Sequence, residues 1–163
     1  LVGTGSAVSW MAKNKLTNLK TVSPKAPSAE EIAYDEISNF SRAQNIPGGV
    51  YMSTLDLSHP MAFGYYKEEL PTFRRGNTMI APSESKFANP GRYTEDPLRS
   101  GWISDANLEA LKGTSTIRVG AMGNGRIVSL VDNPNFRAFW YGTNKLMMNA
   151  IFFGRIVNSG AAQ

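Results

Sequence analysis

The sequence predicts an α/β domain built on a mixed β-sheet, and three observations carry that expectation. The chain opens on an apolar run that passes through Gly3-Thr4-Gly5-Ser6-Ala7 into helix-forming residues, the pattern of a buried strand bending into a helix. Farther on, "TIRVGAMGNGRIVSLVD" sets two β-rich runs about Gly123-Asn124-Gly125, residues that accept the positive φ of a tight reversal. The chain then closes on an aromatic and aliphatic stripe at helical spacing. A strand-helix unit and a hairpin in one domain call for parallel and antiparallel pairing in one sheet.

Taken in order, Leu1 to Thr4 reads as the end of a strand and Ser6 to Leu16 as a helix. Ser6 is its expected N-cap, with Ala7, Val8, Met11 and Leu16 on one face. Thr17 to Pro27 reads as a surface loop. Ser28-Ala29-Glu30-Glu31 forms a capping-box pattern, opening a second helix whose buried side would hold Ile32, Ile37 and Phe40. Its acids Glu30, Glu31, Asp35 and Glu36 lie near the N-terminal end, favoured by the helix dipole, and read as a solvated face. "VYMSTLDL" alternates as a strand does, and "LPTFRRGNTMIAP" supplies one or two more. Ser104 to Leu111 is a short helix, capped by Ser104 or Asp105 and stopped at Gly113. After the hairpin, Phe136, Phe139, Trp140, Thr143, Leu146, Met147, Ala150 and Phe153 recur every three or four residues. They predict one amphipathic helix of about five turns, its stripe packed in the core.

Composition narrows the chemistry. The 163 residues suffice for one domain with a real core, and a 42% hydrophobic, 18% charged composition is that of a globular chain. There is no cysteine, which excludes disulfides, thiol catalysis and thiolate metal sites in this chain. The single histidine, His59, leaves no ordinary zinc ligand set. The net charge of +4 is spread along the chain, with Arg74-Arg75 the one adjacent arginine pair, so neither nucleic acid nor a membrane is the expected partner.

Three places could carry function. The opening bend matches the outline of a nucleophile elbow, but Gly5 stands where the nucleophile belongs, and Ser6 falls one residue late. Gly3, Gly5 and Ser6 therefore read as a degenerate elbow; a serine hydrolase using Ser6 and His59 is the active alternative. The same glycines make only a partial phosphate-binding pattern. His59, in "LDLSHPMAFGY", is either a base or ligand in a loop or a histidine bonded to backbone beside Pro60. In "YTEDPLRSGW" a loop could present Arg99 and Trp102 together to a carboxylate, peptide or glycan. Against that stands pairing of Arg99 with Glu95 or Asp96, with Trp102 in the core.

Four blocks, "LVGTGSAVSW", "PGGVYMSTLDLSHPMAFGY", "YTEDPLRSGWIS" and "GNGRIVSLVDNPNFRAFWYGTNKLMMNAIFFG", together resemble the C-terminal region of large bacterial zinc carboxypeptidase-like proteins. In that family a carboxypeptidase A-type domain precedes one similar to class I glutamine amidotransferases. The resemblance implies a flavodoxin-like, three-layer arrangement for residues 1–163 as a single accessory domain, lacking the first strand-helix units. It also implies an exported protein, periplasmic or extracellular, whose zinc and peptidase chemistry reside in the catalytic domain. The family's H-x-x-E cannot be placed here, since Pro60, Met61 and Ala62 follow His59. No catalytic residue and no cofactor is therefore expected in this chain. Its expected partners are the catalytic domain of the same polypeptide and, through an unpaired sheet edge, a second copy.

Overall fold

The computed structural model describes residues 1–25 and 31–157. Six strands form one mixed sheet: β1 (Val2–Thr4), β2 (Gly49–Leu55), β3 (Glu69–Arg74), β4 (Gly91–Gly101), β5 (Ser115–Met122) and β6 (Gly125–Leu130), in the order β1-β6-β5-β4-β2-β3. Only β1 and β6 pair in parallel; every other neighbouring pair is antiparallel. Four α-helices accompany the sheet: α1 (Ser6–Lys13), α2 (Ile37–Ala43), α3 (Asp105–Leu111) and α4 (Asn144–Phe153). The expected mixed α/β architecture is present.

Side-chain alternation on β6 places the helices. Ile127 and Val131 point to one face and join Val8 and Met11 of α1 with Ile80. Val128 and Leu130 point to the other and join Leu146 and Ala150 of α4, with Leu55, Met61, Ile117 and Val119. A third cluster holds Ile46, Tyr51, Met79, Tyr93, Ile103 and Leu111, under α3. The sheet is strongly curled. Four strand spacings separate β3 from β6, roughly 19 Å in a flat sheet. Yet Phe73 of β3 stacks on Phe136 at 4.1 Å between ring centroids, and Arg74 reaches Asp132 at 3.2 Å.

The hairpin forms as the sequence indicates: Met122 pairs with Gly125, leaving Gly123 (φ +55°) and Asn124 as its two-residue loop. The short helix at Asp105–Leu111 is also where it was expected, with Ser104 at its N-cap position, although the Ser104 hydroxyl donates to the Ala43 carbonyl and makes no bond to the helix amides.

Several expectations need correction. Ser6 is the first helical residue rather than the cap; Gly5 occupies the cap position, with no side-chain bond. That helix stops at Lys13, short of Leu16, because Lys15 at φ +55° turns the chain while the Leu16 amide returns to the Met11 carbonyl. Ser28 of the capping box lies outside the described residues. The helix expected there is observed only over Ile37–Ala43, with no buried residue and with Ile37 exposed.

"YTEDPLRSGW" is not a loop. All but its Trp belongs to β4, the longest strand, whose polar side chains read as loop because half of them face solvent. Pro97 is tolerated because β4 beyond Arg92 no longer pairs with β5 and needs to satisfy only β2. The five-turn C-terminal helix is broken as well. Arg137 and Ala138 take φ of +50° and +55°, two single 3₁₀ turns replace its first half, and only Asn144–Phe153 is α-helical. Phe136 leaves the helical path to stack on Phe73, and Phe139 is exposed rather than in the core.

Candidate functional site

The carboxyl ends of the parallel pair β1 and β6 are where an α/β sheet presents chemistry. The Gly5 amide donates to the Leu130 carbonyl at 3.0 Å, locking the bend to β6, and the Gly5 carbonyl accepts from the Val8 amide to start α1. Gly5 sits at φ +53°, ψ −121°, a conformation that strains any residue with a side chain. The sharp strand-to-helix turn has the outline of a nucleophile elbow. A Cβ placed on Gly5 would meet nothing within 4 Å, so the position where a nucleophile would project is open space. At Gly3, by contrast, Met11 fills the volume that a Cβ would need, so that glycine serves the packing of α1 on β1. Ser6 lies inside the helix with no role in capping it.

Beside the elbow, two residues beyond β6, Asp132 belongs to a buried polar network. Arg74, 1% exposed at the end of β3, donates through Nη1 to Asp132 Oδ1 at 3.2 Å and to the Tyr93 hydroxyl at 3.0 Å. Its Nη2 donates to the Thr78 carbonyl at 2.5 Å, and Thr78 Oγ1 shares a hydrogen bond with Ser9 of α1 at 2.6 Å. Tyr93 in turn donates to Asp132 Oδ2. The network thus joins β3, β4, β6 and α1 around the elbow.

Its electrostatics favour one ion pair. Burial pulls Arg74 down, but the facing Tyr93 and Asp132 outweigh it and hold the guanidinium charged. Burial pushes the Tyr93 hydroxyl far up, so it remains a neutral donor, and pushes the Asp132 carboxyl up against the opposing pull of Arg74. The adjoining cavity, bordered by Thr72, Asp132, Asn133 and Thr143, measures about 20 Å³, room for a water and no larger ligand. The Asp132 carboxylate, Tyr93 hydroxyl and Arg74 guanidinium are turned on one another, and no nucleophile stands among them.

The three residues read from the sequence as ligand contacts do not converge. Gly49 pairs with Gly101 and Leu55 with Gly91, so Trp102 follows β4 at one end of β2 and His59 lies past the other, roughly 20 Å along the strand. His59 is 7% exposed. Its Nδ1 accepts the Met61 amide at 3.1 Å, capping the turn Pro60–Ala62, while Nε2 faces the Phe87 backbone without a well-formed hydrogen bond. Burial lowers its pKa, outweighing Asp56 and the Phe87 backbone. This is the backbone-bonded histidine beside Pro60 of the plainer reading.

Arg99 is partly exposed and bonded to Asp96, through the carboxylate at 3.2 Å and the carbonyl at 2.9 Å. Trp102 is 53% exposed, not in the core, and borders an open groove with Asn39, Arg42, Asn45 and Pro47.

The buried network itself was not legible in the chain. Arg74 and Asp132 stand 58 residues apart, and no spacing links them; the one signal is that each ends a β-rich run. Among the described residues no group of three or more His, Asp or Glu comes together that could hold a metal ion, so these residues do not fit a zinc site. Nor is any helix among them long and apolar enough to cross a membrane.

The fold is a mixed α/β domain with a strand-to-helix bend at Gly5. No family model, curated protein or solved structure matches the chain.

Proposed function

We propose that this chain is a non-catalytic accessory domain of amidotransferase-like, flavodoxin-like descent, belonging to an exported zinc carboxypeptidase-like protein. One observation carries the reading. Gly5 holds the backbone of a nucleophile elbow, yet it has no side chain, and the space where one would project is open. The bend persists where the chemistry does not, which is what a domain kept for structure retains. Asp132, two residues past the Leu130 that bonds Gly5, is held by the Arg74–Tyr93–Asp132 network, which supports a packing role.

The domain's work in this reading is to stabilise the catalytic domain, to help the protein assemble, or to position its substrate. β1 stands at the sheet edge with β6 as its one strand partner, so another strand can add there, from the same polypeptide or from a second copy. Peptide hydrolysis, with its zinc, is assigned to the catalytic domain.

The test compares zinc-dependent carboxypeptidase activity of the whole parent protein, of its catalytic part and of this chain alone. The chain alone is expected to be inert, and the catalytic part to lose thermal stability or turnover without it. Peptidase or glutaminase turnover by the chain, or labelling of Ser6 by a fluorophosphonate, overturns the reading.

A further inference from the structure

A second buried arginine lies on the α1 side of the sheet, away from the elbow network. Arg118 pairs in register with Ser129, whose neighbours Ile127 and Val131 face α1, so its side chain leaves the sheet on that face. It is 8% exposed. Its Nη1 makes two long bonds, to the Ala88 carbonyl at 3.2 Å and to Asn89 Oδ1 at 3.3 Å, and its Nε is buried with no partner. None of the three ion pairs among the described residues includes it. The charged neighbour that bears on it is Arg92, also a cation. A buried guanidinium left this way is costly, because desolvation is not repaid by an opposite charge.

The guanidinium borders a cavity of about 280 Å³ between β5, β6 and the segment that follows α1. Lys15 turns that segment back over the sheet, bringing Thr17 and Leu19 above Arg118. Thr17 Oγ1 is buried there and, like the Arg118 Nε, has no partner. Leu19 and Ile127 supply apolar side chains, and the β5 backbone at Val119, Gly120 and Ala121 forms the floor. Two unmatched polar groups, on Arg118 and Thr17, therefore belong to residues lining one cavity of mixed polar and apolar character.

We propose that this cavity binds a small organic carboxylate, its oxygens on the Arg118 guanidinium and the Thr17 hydroxyl and its short aliphatic body against Leu19 and Ile127. One planar guanidinium and one hydroxyl suit a carboxylate, whereas a phosphate dianion calls for more donors than this wall presents. The volume, at the lower end of the range for ligand pockets, suits a small organic acid rather than a drug-sized molecule. The site is independent of the accessory-domain reading and of any chemistry at the elbow.

The test titrates the folded chain at neutral pH with isovalerate, with the uncharged isovaleramide and with inorganic phosphate, following backbone amide shifts at Thr17 and Gly120. Isovalerate is expected to saturate with a Kd near or below about 1 mM. Isovaleramide should bind at least about tenfold more weakly, as loss of a charged hydrogen bond predicts. Arg118→Met should abolish saturation, and Thr17→Val, which keeps the wall intact, should weaken it roughly two- to tenfold. No saturation by isovalerate, equal binding of isovaleramide, tighter binding of phosphate, or a Kd unchanged by Thr17→Val each overturns the site. If Arg118→Met does not fold, the ligand series and Thr17→Val still decide.

Discussion

Arg74 and Arg118 are both buried on strands of one sheet, at 1% and 8% exposure, yet their surroundings are opposite. Arg74 meets a carboxylate, a tyrosine hydroxyl and a carbonyl, and lies 5.4 Å from the centroid of the Tyr93 ring. Arg118 meets two weak acceptors and another arginine. The difference separates a structural charge from one open to a ligand. Each arginine leaves its Nε buried without a partner, but among the described residues only Arg74 faces a carboxylate. A buried charge paired within its own chain holds structure together, and one left without an opposite charge invites a ligand. His59 stands between them, buried and half-satisfied but able to escape the problem by staying neutral.

The largest effect should come from breaking the matched site. Arg74→Met leaves Asp132 buried without its cation and should cost about 3–5 kcal/mol of unfolding free energy in urea titration. Adding Asp132→Leu to that variant should recover much of the loss. If the double variant is no better than the single, the pair is not acting as a unit.

Next is the elbow. Gly5→Ala meets no steric obstacle but must hold φ +53°, ψ −121°, so a destabilisation of about 1–3 kcal/mol is expected from backbone strain alone. A neutral result in the same titration would mean that the bend relaxes and is not held by its bond to Leu130.

A smaller effect tests the neutral histidine. The fold holds the uncharged His59 ring, while the unfolded chain protonates near the ordinary value of 6.5. The stabilisation from this group is therefore complete above that pH and is lost as pH falls from there toward the lowered folded-state pKa. The urea midpoint should drop between about pH 7 and pH 5, and drop less in His59→Gln, which has no ring to protonate. An unchanged difference across that range would place the titration elsewhere.

The smallest effect sharpens the comparison from its other side. In the absence of ligand, Arg118→Met should change stability by less than about 1 kcal/mol, or raise it, since the variant removes an unpaired charge and keeps most of the volume. A loss as large as that of Arg74→Met would show that Arg118 has a counter-charge after all.

What could be read from the chain follows from the range of the interactions involved. The hairpin was legible because Gly123-Asn124-Gly125 and its flanking runs are a local code. So was the short helix at Asp105–Leu111, and so was a glycine at the opening bend, since Gly5 is a fact about one residue. β4 was missed because its pairing lies wholly with distant strands, and its polar edge carries no alternation that a loop could not also show. The C-terminal stripe gave the right period over the wrong length. Its first aromatic, Phe136, gains more by stacking on Phe73 than by continuing a helix.

By itself, then, the sequence determined the mixed α/β class, the elbow's outline and the absence of thiol chemistry, because those depend on residue type and near neighbours. It took the folded chain to show that Arg99, Trp102 and His59 stand apart, that Arg74 finds Asp132 across a curled sheet, and that Arg118 finds no carboxylate among the described residues. Charge pairing over such separations in the chain depends on how the sheet curls, and no local pattern encodes that.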